Sequence, residues 1–292
     1  MSFSYRGETE ELNDLTRQEV SGSFIPLSDG ITHYELSNPD VQESVVLVHG
    51  FSTPYFIYDP TFEFLTQSGL RVLRYDLYGR GYSDRPETRY NIDLFVRQLS
   101  ELLDSLGFTQ SVSLVGLSMG GPITAAFTSH FPERVKKLVW IDPAGAKATF
   151  LLGLLKILTM PGVGETLLNL IGSAGLIRNV ASDFFERRHR EDFQNRYLAQ
   201  MQYRGFRQAI LSTVRDGMLG SFIEEYQRIG KMKKPVLLFW GRQDRAVPFH
   251  HSNALRRAIP QAELHVIENC GHIPHYEKPE EVNPILLRFL QS

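Results

Sequence analysis

The run Val112-Ser113-Leu114-Val115-Gly116-Leu117-Ser118-Met119-Gly120-Gly121 constrains this chain more than any other stretch, because a β-branched, apolar segment ends abruptly in Gly-x-Ser-x-Gly. It predicts a strand driven into a sharp turn. The following Pro122-Ile123-Thr124-Ala125-Ala126-Phe127 predicts a helix with its proline in the first turn, where a missing N–H costs least. A serine in a strained strand-to-helix turn needs neighbours without Cβ atoms two positions before and after it, here Gly116 and Gly120. Ser118 is then lifted clear of the backbone at the positive end of a helix, in surroundings that favour an anion. A nucleophilic hydroxyl is one use of such a turn, and a plain glycine-rich connection is the other.

The flanking pattern separates the two. Ser44-Val45-Val46-Leu47-Val48 is a continuous apolar run of the kind buried on both faces of a parallel sheet, and it leads into His49-Gly50-Phe51-Ser52. Arg71 to Leu77 predicts the next strand, followed by the glycine-punctuated loop Asp76 to Pro86. Leu94, Phe95, Leu99, Leu102, Leu103 and Leu106 recur at helical spacing, and Gly107 closes that helix. Lys137 to Ile141 predicts a strand ending at Asp142-Pro143, Pro235 to Trp240 one ending at Gly241-Arg242-Gln243-Asp244, and Glu263 to Ile267 one ending at Glu268-Asn269-Cys270-Gly271-His272. Near the start, Ser23 to Leu27 and Ile31 to Leu36 flank Ser28-Asp29-Gly30 as a hairpin. Strands alternating with helices predict an α/β protein with a doubly wound, mostly parallel sheet, whose reactive groups gather at the carboxyl ends of the strands.

The alternation breaks between about residues 145 and 230, where helical segments dominate. The expected organisation is a polar leader over 1–22, a core formed by 23–144 and 231–292, and a helical cap inserted over 145–230. Phe150 to Leu158, the most apolar stretch, falls far short of the ~20 residues that span a bilayer. It reads as a core helix of the cap, as a wall for an acyl or aromatic group, or as both at once, with membrane-surface attachment a lesser alternative. Phe184 to Arg190 reads as a solvated helix face. Among 292 residues, 31 Lys and Arg balance 33 Asp and Glu without a basic stripe, so neither nucleic acid nor an anionic membrane surface is an implied partner. A single cysteine, Cys270, precludes an internal disulfide framework, and the polar start lacks a secretory apolar core. The expectation is a protein of the cytoplasm with no transmembrane segment.

A serine hydroxyl needs a general base within hydrogen-bond reach and a group that orients the base. His272 and Asp244 each follow a core strand, and the chain order Ser, Asp, His suits this architecture. Asp142 is the competing acid, although Ile141-Asp142-Pro143 reads better as a strand-terminating turn. His275, beyond a proline, reads as structural, and Cys270 as a small loop residue. Adjacent His250 and His251 cannot both face one site, so neither metal nor cofactor is expected. An oxyanion formed at Ser118 requires fixed donors, for which the backbone N–H groups of Met119 and Phe51 are suited, with His49 bracing the Phe51 loop.

These residues resemble the α/β-hydrolase superfamily from about Gly22 onward, through His49-Gly50-Phe51, Asp76-x-x-Gly79-x-Gly81-x-Ser83, Gly116-Leu117-Ser118-Met119-Gly120-Gly121, Gly241-x-x-Asp244 and Gly271-His272. The resemblance implies Ser118 as nucleophile, Asp244 as acid, His272 as base, and Phe51 with Met119 as oxyanion donors. It is closest to capped carboxylesterases and monoacylglycerol-lipase-like members, and serine at 118 argues against haloalkane dehalogenases and epoxide hydrolases. Ring-cleavage-product C–C hydrolases share Ser-Met-Gly-Gly but commonly carry tryptophan after the catalytic histidine, where this chain has Ile273. The long cap disfavours cofactor-free haloperoxidases with small lids. The expectation is hydrolysis of small to medium apolar acyl or aryl esters through a Ser118 acyl-enzyme. The alternatives are a C–C bond hydrolase or lactonase with the same triad, and a ligand receptor that keeps the fold.

Overall fold

Every core strand ends where a chemistry-bearing loop begins, and the sheet order decides which loops become neighbours. The computed structural model describes residues 5–147, 159–170, 175–176, 183–185 and 190–292. Its eight strands are β1 (Ser23–Leu27), β2 (Gly30–Ser37), β3 (Ser44–Val48), β4 (Arg71–Tyr75), β5 (Val112–Leu117), β6 (Val135–Ile141), β7 (Val236–Gly241) and β8 (Glu263–Ile267). They form one sheet in the order β1-β2-β4-β3-β5-β6-β7-β8. The β1–β2 hairpin and the β2–β4 pair are antiparallel, and every later pairing is parallel. The predicted α/β-hydrolase architecture is therefore present, with the hairpin as its antiparallel edge.

Continuous apolar strands follow from coverage on both faces. Val46, Leu114, Leu138 and Leu238 pack into one buried cluster, while Val45, Leu47, Val115, Val139 and Leu237 pack into another. Their offset by one residue is the alternation expected when successive side chains point to opposite sides of a strand. The two tryptophans are buried, and each ring N–H finds an acceptor. Trp140 Nε1 donates to Thr124 Oγ1 at 2.8 Å and Trp240 Nε1 to the Val247 carbonyl at 3.0 Å. The second bond fastens the loop that carries Asp244 to its own strand.

The chain reverses its winding at β3, which has β4 on one side and β5 on the other. In doubly wound sheets the crevice at such a reversal is the ligand-binding position. Val48 pairs with Gly116, so the loop after β3 and the turn after β5 emerge side by side.

Between β6 and β7 the described residues hold no strand and four helices, Val163–Leu170, Arg190–Gln200, Phe206–Arg215 and Ile223–Met232. The last packs on helices Gly120–His130 and Ser252–Ala258 and stacks Tyr226 edge-on against Trp140. It thus joins the layer flanking the sheet, although it begins within the 145–230 segment expected as cap. Phe150 to Leu158, and residues 186–189 of the run expected as a solvated face, lie outside the described residues.

The polar leader has a structural use that its composition hides. Glu10 donates its N–H to the Gln202 carbonyl at 3.0 Å and accepts the Arg204 N–H at 2.9 Å. The Glu8 carboxylate accepts the N–H groups of Gly205 at 2.8 Å and Arg207 at 2.9 Å, capping helix Phe206–Arg215. Among the described residues no helix is long and apolar enough to cross a membrane.

Candidate active site

Ser118 sits in the left-handed region at φ +51° and is partly exposed directly after β5. A non-glycine residue there costs of order 1–3 kcal/mol and persists only where its surroundings determine it. Here the Ser118 N–H donates to the Ile141 carbonyl, and the Ser118 carbonyl accepts from Gly121 and Ala144, all at 3.0 Å. The flanking glycines are required by close approach. A Cβ on Gly116 would lie 2.5 Å from the Gly120 carbonyl oxygen, and one on Gly120 would lie 2.2 Å from the Val48 carbonyl oxygen. The strain therefore falls on the serine, while the glycines let the turn press against β3.

That pressure brings the loop after β3 onto the serine. A Cβ on Gly50 would meet Ser118 Cβ at 3.2 Å and its Oγ at 3.8 Å. Phe51 follows Gly50, and Met119 precedes helix Gly120–His130. Among the described residues neither the Phe51 N–H nor the Met119 N–H donates to a protein acceptor. Two unspent amide donors beside a partly exposed serine, at a helix N-terminus, form an anion-accepting corner. His49 braces this loop, with Nδ1 bonded to the Gly50 carbonyl and Nε2 accepting the Leu77 N–H, both at 2.9 Å. Burial lowers its imidazole to about 4, so it is neutral.

Asp244 and His272 meet as the sequence predicts. His272 Nδ1 bonds Asp244 Oδ2 at 2.7 Å, and Asp244 Oδ1 accepts the N–H groups of Ala246 and Val247 at 2.8 and 2.9 Å. Burial of the imidazole opposes its charge, but the Asp244 carboxylate and its hydrogen bond outweigh that and raise it to about 9. Among the described residues Ser118 Oγ makes no hydrogen bond to this ring. The His272–Asp244 contact is closed and the Ser118–His272 contact is open.

Further residues brace the loop that carries His272, and only one of them drew attention in the sequence. Asp142, expected as a turn residue, is buried beside Asp244 and His272, with one ligating atom of each within 4.8 Å of the others. The sequence offered it only as a rival to Asp244, not as its neighbour, because adjacency of β6 and β7 is a property of the sheet, not of the chain. Glu277 gave no signal, yet its buried carboxylate accepts the N–H of Gly271 and of Phe185, both at 2.7 Å. The Asp183 carbonyl accepts the His272 N–H at 2.7 Å. Segment 183–185 is thereby stitched to the base loop.

The remaining candidates do not join the site. His275 is buried with its ring 4.8 Å from that of Tyr58, and burial lowers it to about 3. The Cys270 thiol is buried and donates to Glu277 at 3.5 Å, and burial pushes it well above the usual thiol range. His250 and His251 stack edge-on with each other outside the cluster. The three cluster residues mostly spend their oxygens and ring nitrogen on each other and on backbone N–H groups.

A family described as the alpha/beta hydrolase fold matches residues 43–279. A 2-hydroxy-6-oxononadienedioate/2-hydroxy-6-oxononatrienedioate hydrolase from Klebsiella pneumoniae is 31% identical over 268 residues, covering 86% of this chain and 88% of the relative. Among solved structures, a meta-cleavage product hydrolase from Pseudomonas fluorescens aligns at TM-score 0.74 and 26% identity, over 92% of this chain and 97% of that one. A bromoperoxidase from Bacillus anthracis aligns at TM-score 0.80 over 93% and 100% of the two chains, and at 22% identity that likeness is one of fold.

Proposed function

This chain belongs to the α/β-hydrolase family, and we propose that it is a serine hydrolase cleaving the carbon–carbon bond beside a ketone in a conjugated 2-hydroxy-6-oxo dienoic acid. Support for the bond type comes from the relatives, whose names specify that substrate class over most of this chain's length. Support for the residues comes from the geometry: a strained, partly exposed Ser118, two unspent amides beside it, and a His272 ring held by Asp244. The ester substrates expected from the sequence give way to this reading.

In the proposed reaction Ser118 Oγ adds to the ketone carbon as His272 takes its proton, and the Phe51 and Met119 N–H groups hold the oxyanion. Collapse breaks the carbon–carbon bond. For the departing electron pair to be accepted, the substrate's 2-hydroxyl proton first moves to the carbon beside the ketone; the pair then runs through the unsaturated chain to the 2-oxo oxygen, which takes the proton that His272 returns. Ser118 is left as an ester, which a water deprotonated by His272 hydrolyses, giving one carboxylic acid and one dienoic acid in all. Asp244 keeps the imidazole in the tautomer with Nε2 free, and each oxyanion donor supplies about 2.7–4 kcal/mol.

Ester hydrolysis is the second reading, and Ile273 favours it, since it stands where ring-cleavage-product hydrolases commonly carry tryptophan. A direct comparison decides. Wild type and Ser118→Ala are given a 2-hydroxy-6-oxo dienedioate, followed by loss of its visible absorbance, and a p-nitrophenyl ester series. Higher kcat/KM on the dienedioate, abolished in Ser118→Ala, is expected. Turnover of esters alone would transfer the assignment to the second reading, and equal rates for the two proteins would refute the nucleophile.

A further inference from the structure

One buried carboxyl in the site has no part in the reaction just described. Asp142 follows β6 with a left-handed backbone, φ +43°, and is fully buried. Its Oδ1 accepts the Gly241 N–H at 2.9 Å, while Oδ2 is buried and receives no donor. Asp244 is better supplied, with the Ala246 and Val247 N–H groups on Oδ1 and His272 Nδ1 on Oδ2. Two carboxyls buried this close cannot both be ionised, so one keeps a proton. Three donors hold the charge on Asp244 and one donor faces Asp142, so the proton belongs to Asp142. An O–H there also accounts for the buried Oδ2 that receives nothing, because that atom donates.

We propose that Asp142 is a neutral carboxylic acid that donates its O–H to the Asp244 carboxylate, a positioning residue that draws charge away from His272 and fixes the acid's orientation. This rests on Asp244 and His272 acting as acid and base. Burial raises the Asp142 carboxyl well above the usual range, and the charge on Asp244 raises it further. The titratable groups facing the pair are His272, Glu277, Cys270, Asp183 and His251. Three of these are acidic or thiol groups, which favour the proton on Asp142. The left-handed backbone at Asp142 is the strain that such an over-determined position sustains.

The test is an NMR titration of the His272 ring in the full chain for wild type, Asp142→Asn and Asp142→Ala, with kcat and KM measured across pH. Asparagine keeps both bonds, its carbonyl accepting from Gly241 and its amide donating to Asp244. The expected result is a His272 pKa within about half a unit of wild type and kcat within about threefold. Alanine deletes the donor and concentrates the Asp244 charge on the ring. The expected result is a rise of about one unit, a fall in kcat of about tenfold and little change in KM. If Asp142 were ionised, Asp142→Asn would remove a charge and lower the His272 pKa by about a unit or more, which overturns the proposal. An unmoved pKa and pH profile in Asp142→Ala overturns it too, by reducing the residue to packing. Should that variant not fold, the carboxyl ¹³C shift of Asp142 in wild type decides: a protonated value near neutral pH supports the proposal, and a carboxylate value refutes it. The titration needs no substrate, so a wrong assignment of the reaction leaves this outcome readable.

Discussion

Asp244→Asn perturbs the proposed base without changing side-chain volume, and the structure dictates how the new amide must lie. The Ala246 and Val247 N–H groups both point at Asp244 Oδ1, at 2.8 and 2.9 Å, and only an oxygen can accept them. An asparagine here therefore puts its carbonyl on those donors and its NH₂ toward His272 Nδ1, which lies 2.7 Å from Oδ2 in the native pair. Facing a donor, Nδ1 must become an acceptor, and the ring proton moves to Nε2. The nitrogen that should take the Ser118 proton is then already protonated. In serine triads this tautomer change costs about 10⁴ in kcat. At 1.36 kcal/mol per tenfold that is about 5.4 kcal/mol of barrier.

A second consequence has the opposite direction on the pH axis. The Asp244 charge is what raises His272 to about 9 against the effect of burial. Without it, burial prevails, and the remaining activity should lose its alkaline dependence. The assay is kcat at saturating substrate from about pH 5 to about pH 10 for both proteins, beside a thermal melt to establish folding. Asparagine is the useful variant because alanine would strand two N–H groups, each at about 1–3 kcal/mol, and confuse folding with tautomer. A folded Asp244→Asn protein within about tenfold of wild type at every pH would refute the assignment of Asp244, and Asp142 would then be the acid.

Other outcomes follow from the same contacts. In the wild type kcat/KM should climb through neutral pH toward about 9, because His272 is charged and useless as a base below that value; a limb at the ordinary imidazole value of 6.5 would show that Asp244 does not hold the ring. The same pair stabilises the fold fully below 6.5 and ceases to do so as pH rises through about 9, which urea midpoints at several pH values would register. Gly120→Ala forces a Cβ to within 2.2 Å of the Val48 carbonyl oxygen and should destabilise by about 3 kcal/mol or more. Gly69→Ala, at φ +82° with open space around it, should cost only about 1–2 kcal/mol in the same denaturation assay. Glu8→Ala removes one buried partner of Arg207, 3.2 Å away, together with the cap of helix Phe206–Arg215, and should cost about 0.5–2 kcal/mol in thermal unfolding.

What could be read from the chain, and what could not, divides along physical lines. Strands β3, β5, β6 and β7 were legible because a strand covered on both faces must be largely apolar, Ser118 and Asp244 because each follows such a strand in glycine-marked punctuation, and His272 because Gly271 marks the loop after β8. Asp142 carries the same local signature as a turn residue, and only the pairing of Ile141 with Phe239 shows that its carboxyl meets the loop of Asp244. Glu8 is hidden for a related reason, since a polar leader gives no sign that one carboxylate will cap a helix almost two hundred residues away. Both are cases in which a polar group's partner lies on another element, and periodicity carries no information about that. The bond to be cleaved was illegible for a different reason. A triad with two amide donors stabilises any tetrahedral oxyanion at Ser118, so ester, lactone and ketone differ only in how the departing group takes its electrons. Specificity must therefore reside in what surrounds the leaving group; segment 183–185 is tied to the His272 loop through the Asp183 carbonyl and the Glu277 carboxylate, and Ile273 directly follows His272. A substitution that cuts those stitches, such as Glu277→Ala, should lower kcat for every substrate alike, whereas a change at Ile273 should alter the ratio between ketone and ester.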